Sequence, residues 1–600
     1  MSEQEPAQPR SPPESDAVGA GIDFTDPNSP LAPCYLRTSH VILAALLAAI
    51  FVIMGLVRLW HTDVWAHTRF GEFMVQEGRL PQHEAFCDLA DQSAPYVNFQ
   101  WLSQGLFYLT FRLGGWMAGG DELHQLAGGV EMLRILLAVL TVLRLALLAA
   151  AVWRLTGSGP FACLSVVLAG GLGLANIGVL RPQVVAEVFL PLLLLSLSGS
   201  ALPLRRLLFI PLVMVLWANT HGSYLVGFMV LGACLVPALL AACFSAPLRS
   251  DALRLLGATL LSLAAVALLN PHGPWLFWHT VALAGHPNIA DMDEWKRIRF
   301  GSPWGIAFSV SLGLLALTLV LRLVVALRGA PSRPTAPSPL VMRQPPIALA
   351  AASKWTLQMP PAHWLLILGF GVQTYLHQRM MPWWVLLVPW ILAPHWAVIL
   401  QGAPWLVQDR SVPSLRKTIV AVLLAGALLA WSAPANWLLE GSPRPLERAV
   451  AEGTPWRVAE ELRTAEGKYL PQLAAWLKEH YPSGKFTDRI FTSETQGDYL
   501  LWALAPETRL FMYTHVHLFP PEVWQDCQKV KFGHPDWDKI LKDRDVKVIL
   551  VEAELHPRLR QQLLGASDRW RIILDETGNP RKSDPRSRLL IAVRKDQPAQ

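Results

Sequence analysis

The chain has 600 residues, of which 52% are hydrophobic and only 16% are charged, and its formal net charge is +6. Ordinary soluble domains carry about 25% charged residues, so this composition excludes a typical water-soluble protein. The positive charge is spread over many short loops and forms no continuous basic face. Nucleic acid is therefore not predicted as a partner, whereas membrane lipids are.

Residues 1–38 are rich in Pro, Ser, Glu and Asp, and they lack the basic start and small-residue cleavage site of a signal peptide. This composition predicts a disordered cytoplasmic tail. The first apolar run is then kept as a membrane helix.

Residues 39–439 contain about eleven apolar runs that are long enough to cross ~30 Å of hydrocarbon. The segment 101–113 is shorter and is interrupted by Gln104 and Arg112, so it is predicted to lie at the membrane surface, although a span is the alternative. The predicted spans are 39–60, 132–154, 161–180, 184–201, 207–220, 223–245, 254–270, 304–327, 361–378, 382–402 and 418–438.

The orientation follows from the basic residues, because short cytoplasmic loops carry an excess of Lys and Arg. With a cytoplasmic N-terminus, most of these residues fall in inner loops, as Arg205, Arg206 and Arg416 do. Lys296 and Arg297 are exceptions. This orientation puts loops 62–131 and 271–302 and residues 440–600 outside the membrane.

Residues 440–600 read as a soluble α/β unit. Helical patterns cover 469–480, 537–542 and 558–564, and strand-like runs cover 489–492, 509–513, 546–551, 570–574 and 589–593. The predicted fold class is therefore an α-helical polytopic membrane protein with a C-terminal extracytoplasmic α/β domain.

Polar residues collect at the predicted outer ends of the spans. Ionisable groups at membrane depth are costly, and they usually pair or line an aqueous cavity. The pattern predicts one outward-facing site fed by several helices. Its members are Asp63, Arg181, Asn219, His221, Asn270, His272, Glu294, His377 and Arg379.

Asp63 opens the first outer loop, where partial desolvation would raise the pKa of its carboxyl and make it a better proton acceptor. The structural alternative is that Asp63 caps a helix through residues 70–75. A third interpretation is a metal site on His61, Asp63 and His67, but no further ligand spacing supports zinc. An oxygen-liganded divalent ion on Asp63 stays open, and no other cofactor is indicated.

Arg181 and Arg379, with His221 and His377 beside them, have two interpretations. They contact lipid headgroups, or they bind a donor phosphate, for which guanidinium is well suited. Glu294 is a second-choice catalytic carboxylate, and the adjacent Trp295 could hold a sugar ring. The other candidate substrate-binding residues are Trp65, His67 and Asn219.

These residues carry a family resemblance. The order of an apolar first span followed by Asp63, Trp65, His67 and Gly71, and then by Leu80-Pro81 and Trp101-Leu102, resembles the polyprenyl-phosphate-dependent glycosyltransferases of the GT-C fold. Patterns in the less-studied bacterial members are similar to further motifs of this chain: Arg181-Pro182-Gln183, Trp217 to Gly222, Asn270-Pro271 and Glu294-Trp295.

The resemblance implies a bacterial inner-membrane enzyme that moves a sugar from a polyprenyl phosphate to an extracytoplasmic glycan, lipid or protein. It puts the catalytic acidic role on Asp63 and the phosphate near Arg181, His221 and Arg379. Many family members have a paired acidic motif here, whereas Asp63 stands between Thr62 and Val64. The metal requirement is therefore left open. Gly497-Asp498-Tyr499-Leu500 is also similar to the soluble end of such proteins, with no role implied.

Two other classes of function stay open on sequence alone. A lipid or polysaccharide transporter should carry polar residues near the bilayer midplane on discontinuous helices. A non-catalytic membrane scaffold would use the soluble tail to bind partners. The clustering of polar residues at the outer ends favours the transferase.

Overall fold

The computed structural model describes residues 24–60, 63–174, 178–198, 203–244, 246–327, 359–401, 403–483, 485–582, 584 and 587–595. The predicted disordered tail is therefore described only from residue 24, and the candidate ligand His61 lies outside the described residues. The chain is a mostly helical integral membrane protein that ends in a small sheet unit.

Helices make up nearly all of the N-terminal part. They are α1 Thr38–Leu56, α2 Val64–Glu77, α3 Trp101–Ala118, α4 Glu122–Thr156, α5 Gly159–Leu172, α6 Pro182–Ala186, α7 Phe189–Leu197, α8 Leu204–Ala218, α9 Tyr224–Phe244, α10 Ala246–Leu269, α11 Trp275–Ala284, α12 Pro287–Ala290, α13 Pro303–Leu327, α14 Pro361–Leu376, α15 Met381–Ile399, α16 Pro404–Val407, α17 Leu415–Leu429, α18 Ala433–Glu440 and α19 Leu446–Ala449.

Among the described residues, six helices are long and apolar enough to cross a membrane, or seven if the pair α17 and α18, bent by 65°, counts as one span. Each predicted span coincides with a helix or a broken pair. Several of these helices are shorter than predicted: α5, α7 and α8 have lengths of 14, 9 and 15 residues. The predicted number of about eleven spans is not established by these helices.

Helix α3 is an 18-residue helix that is not among those six. It exposes Leu109, Leu113, Trp116 and Met117, which are spaced at helical intervals on one face. Its other face packs on α2 and α4. This arrangement suits the predicted helix at the membrane surface.

The C-terminal unit contains α20 Trp456–Thr464, α21 Pro471–His480, α22 Glu494–Leu504, α23 Pro521–Lys531, α24 Trp537–Asp543 and α25 Pro557–Gly565. Five strands form one sheet in the order β2-β1-β3-β5-β4, in which β1 pairs in parallel with β2 and β3, and β5 runs antiparallel between β3 and β4. The strands are β1 Arg489–Thr492, β2 Arg509–Leu510, β3 Val546–Glu552, β4 Trp570–Asp575 and β5 Leu589–Arg594. This mixed sheet matches the strand-like runs of the sequence.

The C-terminal unit sits directly on the first outer loop. Arg489 donates to Asp88 Oδ2 at 2.6 Å, and the backbone N–H of Asp91 donates to Leu518 O at 2.9 Å. Glu84 accepts a hydrogen bond from the Tyr513 hydroxyl at 3.1 Å. Residues of both parts belong to one buried apolar cluster, so the soluble unit is part of the same packed body.

The helix ends separate into two groups. At one end the start of α1 meets the start of α17, where Arg37 donates to the carbonyl of Asp409 at 2.7 Å and Leu36 bridges to Ser414. The polar candidates lie at the other end, next to the C-terminal unit. The sequence pattern predicts that the first end is cytoplasmic.

Cysteine labelling in intact cells tests this orientation. Cys34 is exposed at the predicted cytoplasmic end and is the native reporter, whereas Ser93→Cys adds a thiol at an exposed position of the first outer loop. We expect an impermeant maleimide to label Ser93→Cys in intact cells and Cys34 only after permeabilisation. Cys34→Ser is the control, because the labelling that appears after permeabilisation should be lost in this variant if it comes from Cys34. Labelling of Cys34 in intact cells would reverse the orientation.

Candidate active site

Asp63 stands immediately before α2 in a strained backbone conformation. Its φ is 55° and its ψ is −54°, a region that residues with a side chain rarely adopt. It occupies the N-cap position of α2, yet its carboxylate makes no capping hydrogen bond. The predicted capping role is therefore not the one that this carboxylate has. Its side chain is aimed elsewhere, at an arginine.

Arg181 joins two carboxylates. Its Nε lies 2.7 Å from Asp63 Oδ2, and its Nη1 donates to Glu294 Oε2 at 2.7 Å. Arg379 Nη1 donates to the other oxygen of Glu294 at 2.6 Å. Four predicted residues thus form one continuous ionic chain. They come from the first outer loop, the N-cap of α6, the second outer loop and the short 3-10 turn before α15.

The pKa values of the two carboxylates in the ionic chain are shifted in opposite directions. Burial raises the pKa of Glu294, but Arg379 and Arg181 outweigh it and hold that pKa at about 2. Burial raises the pKa of Asp63 above its usual value, Arg181 opposes that effect, and the charge of Glu294 adds to it. Carboxylates whose pKa values are pushed apart suit different roles. Glu294 is the permanent anion, and Asp63 is the better base.

Three further predicted residues surround Arg379. Its guanidinium lies 5.1 Å from the ring centroid of Trp295, and its Nη2 lies 3.4 Å from His221 Nε2. His377 Nδ1 donates to the carbonyl of Trp295 at 2.9 Å, which fixes that loop. Burial lowers the pKa of His221 to about 3, with a further contribution from Arg379, so this imidazole is neutral.

The C-terminal unit adds a carboxylate that the sequence did not assign. Asp498, in α22, is fully buried, and its Oδ2 accepts the backbone N–H of Asp63 at 2.9 Å. Its Oδ1 accepts the Thr514 hydroxyl at 2.9 Å. Burial, followed by the charge of Asp63, raises the pKa of Asp498 well above its usual value. Asp498 therefore accepts hydrogen bonds on both of its oxygens and holds the backbone of Asp63.

Gly497 explains how Asp498 comes so close. A Cβ at this position would lie 2.1 Å from the carbonyl oxygen of Met512, so only glycine lets α22 approach the chain after β2. The motif Gly497-Asp498 was visible in the sequence. The partner of its carboxylate was not, because Asp63 and Asp498 are 435 residues apart.

The remaining candidates lie outside the ionic chain. Trp65 is fully buried, with ring centroids 4.9 Å from Tyr499 and 4.8 Å from Trp502, so it is a core residue and the expectation of a substrate contact is corrected. Asn219 accepts from Trp101 Nε1 at 2.8 Å and from Asn270 Nδ2 at 3.0 Å, which is a structural network.

His67 is 3% exposed and lies 4.8 Å from His515, ring centroid to ring centroid. Burial lowers the pKa of His67 to about 3, so the ring is neutral. Within the part of the chain that the structure describes, no three His, Cys, Asp or Glu residues are grouped as a metal site. The carboxylate of Asp63 faces the guanidinium of Arg181.

An apolar cavity of about 250 Å³ lies next to the ionic chain, between α1, α4, α5 and α15. Val179 and Val184 line it, and they stand on either side of Arg181 in the sequence. Its few polar groups include Thr141 and the Arg144–Glu187 ion pair. Most of the lining is apolar, which suits a short hydrocarbon segment.

No protein-family model and no curated protein matches the sequence. Solved structures do. The chain is similar to the Archaeoglobus fulgidus oligosaccharyltransferase in the apo form, with 12% identity, 86% of this chain and 70% of that chain covered, and a TM-score of 0.48. It is also similar to AglB from the same organism in complex with an inhibitory peptide and a dolichol-phosphate, with 12% identity, 86% and 69% coverage, and a TM-score of 0.49.

A third similar structure is ArnT from Cupriavidus metallidurans bound to undecaprenyl phosphate, with 14% identity, 92% of this chain and 97% of that chain covered, and a TM-score of 0.45. AglB holds a dolichol-phosphate and ArnT holds undecaprenyl phosphate in those structures.

Proposed function

We propose that this protein transfers a sugar from a polyprenyl-phosphate donor to an acceptor on the outer face of the bacterial inner membrane. The observation that carries the proposal is the ionic chain in which Asp63, with a raised pKa, contacts Arg181, and Arg181 shares Glu294 with Arg379. A base and two phosphate-binding cations within one cluster suit transfer of a sugar from a phosphate.

The proposed reaction inverts the configuration at the anomeric carbon. Asp63 accepts the proton of a hydroxyl group on the acceptor, and the oxygen of that hydroxyl forms a bond to the anomeric carbon. The bond from the anomeric carbon to the phosphate oxygen breaks. The electron pair leaves with the polyprenyl phosphate. Asp63 ends protonated, and the leaving phosphate gains negative charge.

The arginines stabilise that developing charge. Each of them contacts Glu294 through one nitrogen and keeps other N–H groups for phosphate oxygens. Glu294, fully ionised, holds the two guanidiniums in place before the donor binds. This proposal gives the second-choice carboxylate a positioning role and leaves Asp63 as the base.

The donor lipid is proposed to occupy the apolar cavity beside Arg181. An isoprenoid chain buries its hydrocarbon between α1, α4, α5 and α15, and its phosphate then lies at the Arg181 end. The cavity volume of about 250 Å³ holds part of such a chain, so the remainder stays in the bilayer.

The proposal is tested with purified protein and radiolabelled synthetic polyprenyl-phosphate sugars. Membrane extract from a strain lacking the gene supplies the acceptor. We expect one donor sugar to pass into a product that is absent when the protein is omitted. Donors that all stay intact, or a product that forms equally without the protein, would refute the proposal and favour the transporter or the scaffold.

Asp498 is expected to act as a positioning residue for Asp63. Asn has the same shape as Asp, so Asp498→Asn keeps an oxygen that accepts from the Asp63 N–H, and its amide can donate to the Thr514 hydroxyl once that hydroxyl rotates to accept. We expect Asp498→Asn to keep transfer within a few-fold. Asp498→Ala removes both acceptors and should lower kcat by roughly 10- to 100-fold, the effect of losing a hydrogen bond of about 1.5–3 kcal/mol.

The KM for the donor distinguishes a positioning role of Asp498 from a general disturbance of the active site. Arg181 and Arg379 do not contact Asp498, so this KM should be unchanged in Asp498→Ala. A rise in KM that parallels the fall in kcat, or a failure of Asn to restore transfer, would contradict the positioning role.

A further inference from the structure

A second, larger cavity lies beside the active site, outside the membrane-spanning helices. Its volume is about 810 Å³, near the upper end of the range of about 300–1,000 Å³ for small-molecule sites. Residues of α2, α3 and the start of α4 form one wall, and α20 and α22 of the C-terminal unit form the other. We call it the inter-domain groove.

Aromatic rings are prominent on both walls of the inter-domain groove. Tyr469 and Trp502 are partly exposed there, and Trp116, 79% exposed, stands at the end of α3. The rings are held by their neighbours: Trp456 packs edge-on against Tyr469 with centroids 5.0 Å apart, and Trp502 packs against the buried Trp65. Rigid aromatic faces bind with a small loss of conformational entropy.

The charges of the inter-domain groove balance. Four carboxylates and four cations line it, and several are paired, including Arg69 with Glu72 at 2.6 Å. Arg463 pairs with Glu460 at 2.8 Å and also with Glu122 on the opposite wall. The full set is Glu72, Asp121, Glu122, Glu460, Arg69, Arg112, Arg463 and Lys468.

The equal numbers of carboxylates and cations indicate which class of ligand the inter-domain groove suits. An anionic ligand would meet as many carboxylates as cations, and so would a cationic one. A neutral sugar suits the lining better, because its hydroxyls both donate and accept hydrogen bonds while its apolar ring face stacks on an aromatic ring. The volume leaves room for several linked sugars.

The inter-domain groove shares two helices with the active site. Asp63 directly precedes α2, whose Arg69 and Glu72 line the groove. In α22, Asp498 contacts Asp63, and the next residue, Tyr499, lines the groove. A ligand in the groove is thus held on the same two helices that position the proposed base.

We infer that the inter-domain groove binds a neutral oligosaccharide, which is the acceptor glycan of the reaction. The acceptor role rests on the proposed function, whereas the binding itself does not. The ligand stacks on Tyr469 and Trp502. Its hydroxyls donate hydrogen bonds to the surrounding carboxylates and accept them from the arginine and lysine side chains.

The test is binding of the purified full-length protein to a printed array of neutral, acidic and amino-sugar glycans, with neutral peptides on the same slide. Tyr469→Leu keeps apolar bulk against Trp456 but loses the ring face. Phe532→Leu is the matched control, because Phe532 is an exposed aromatic residue, 62% exposed, that is not among the groove residues.

We expect the wild type to bind neutral glycans, Tyr469→Leu to bind them roughly tenfold more weakly, as the loss of ~1.4 kcal/mol of stacking gives, and Phe532→Leu to bind like the wild type. Preference for acidic glycans or peptides, no glycan binding, or equal weakening in both variants would overturn the inference. Glycan binding without any sugar transfer would leave the groove assigned and refute the transferase instead.

Discussion

Asp63→Asn is expected to lower the rate of sugar transfer by roughly 10²- to 10⁴-fold, the usual contribution of a general base. Asn has the same shape, but it cannot accept the acceptor's proton. The carboxylate of Asp63 makes no capping bond, so folding should be little affected. The measurement is single-turnover transfer from the synthetic polyprenyl-phosphate donor, with thermal unfolding in detergent followed in parallel.

The control is Asp91→Asn in the same outer loop, where the carboxylate accepts bonds from Ser93 and has no place in the proposed mechanism. Wild-type transfer should also fall as the pH is lowered, because the base must be ionised. Since burial raises the pKa of Asp63, that fall should have its midpoint above the ordinary value of 3.8. Transfer that survives in Asp63→Asn would give the residue a structural role.

Arg181→Lys is expected to lower transfer by roughly 10- to 100-fold. Arg181 reaches Asp63 through Nε and Glu294 through Nη1, whereas lysine is a point charge on a flexible stem and lacks the rigid fork that contacts both carboxylates at once. One charge-assisted contact of about 1.5–3 kcal/mol is lost. Both kcat and the KM for the donor should change, because the guanidinium is proposed to bind the phosphate in the ground state and in the transition state.

Two further variants show whether the effect of Arg181→Lys is specific to the site. Arg58→Lys is the matched control, because Arg58 forms a half-exposed pair with Glu452 at 2.8 Å and such pairs contribute little. Arg379→Lys should weaken donor use as well, through loss of the contact with the face of Trp295. An unchanged KM for the donor in both Arg181→Lys and Arg379→Lys would make these residues headgroup anchors.

From the sequence alone, the apolar runs that form helices, the strands of the C-terminal unit and the residues of the ionic chain could be predicted, although the number of membrane spans could not. Each of these follows from the solvent that a segment must face. Apolar runs in lipid have to satisfy their backbone groups as helices, and short apolar runs between turns pair as strands. Costly ionisable groups must gather at the membrane surface, so Asp63, Arg181, Glu294 and Arg379 could be singled out before their contacts were known.

Only the tertiary structure decided what those residues do to one another. Periodicity is local, so it cannot indicate that Asp498 meets Asp63 across 435 residues or that the C-terminal unit completes the site. It also cannot distinguish an aromatic ring that lines a groove from one in the core, and so Trp65 was misassigned. Pairing, burial and the resulting pKa values depend on how separate segments pack together, and that packing places Glu294 between two arginines and raises the pKa of Asp63.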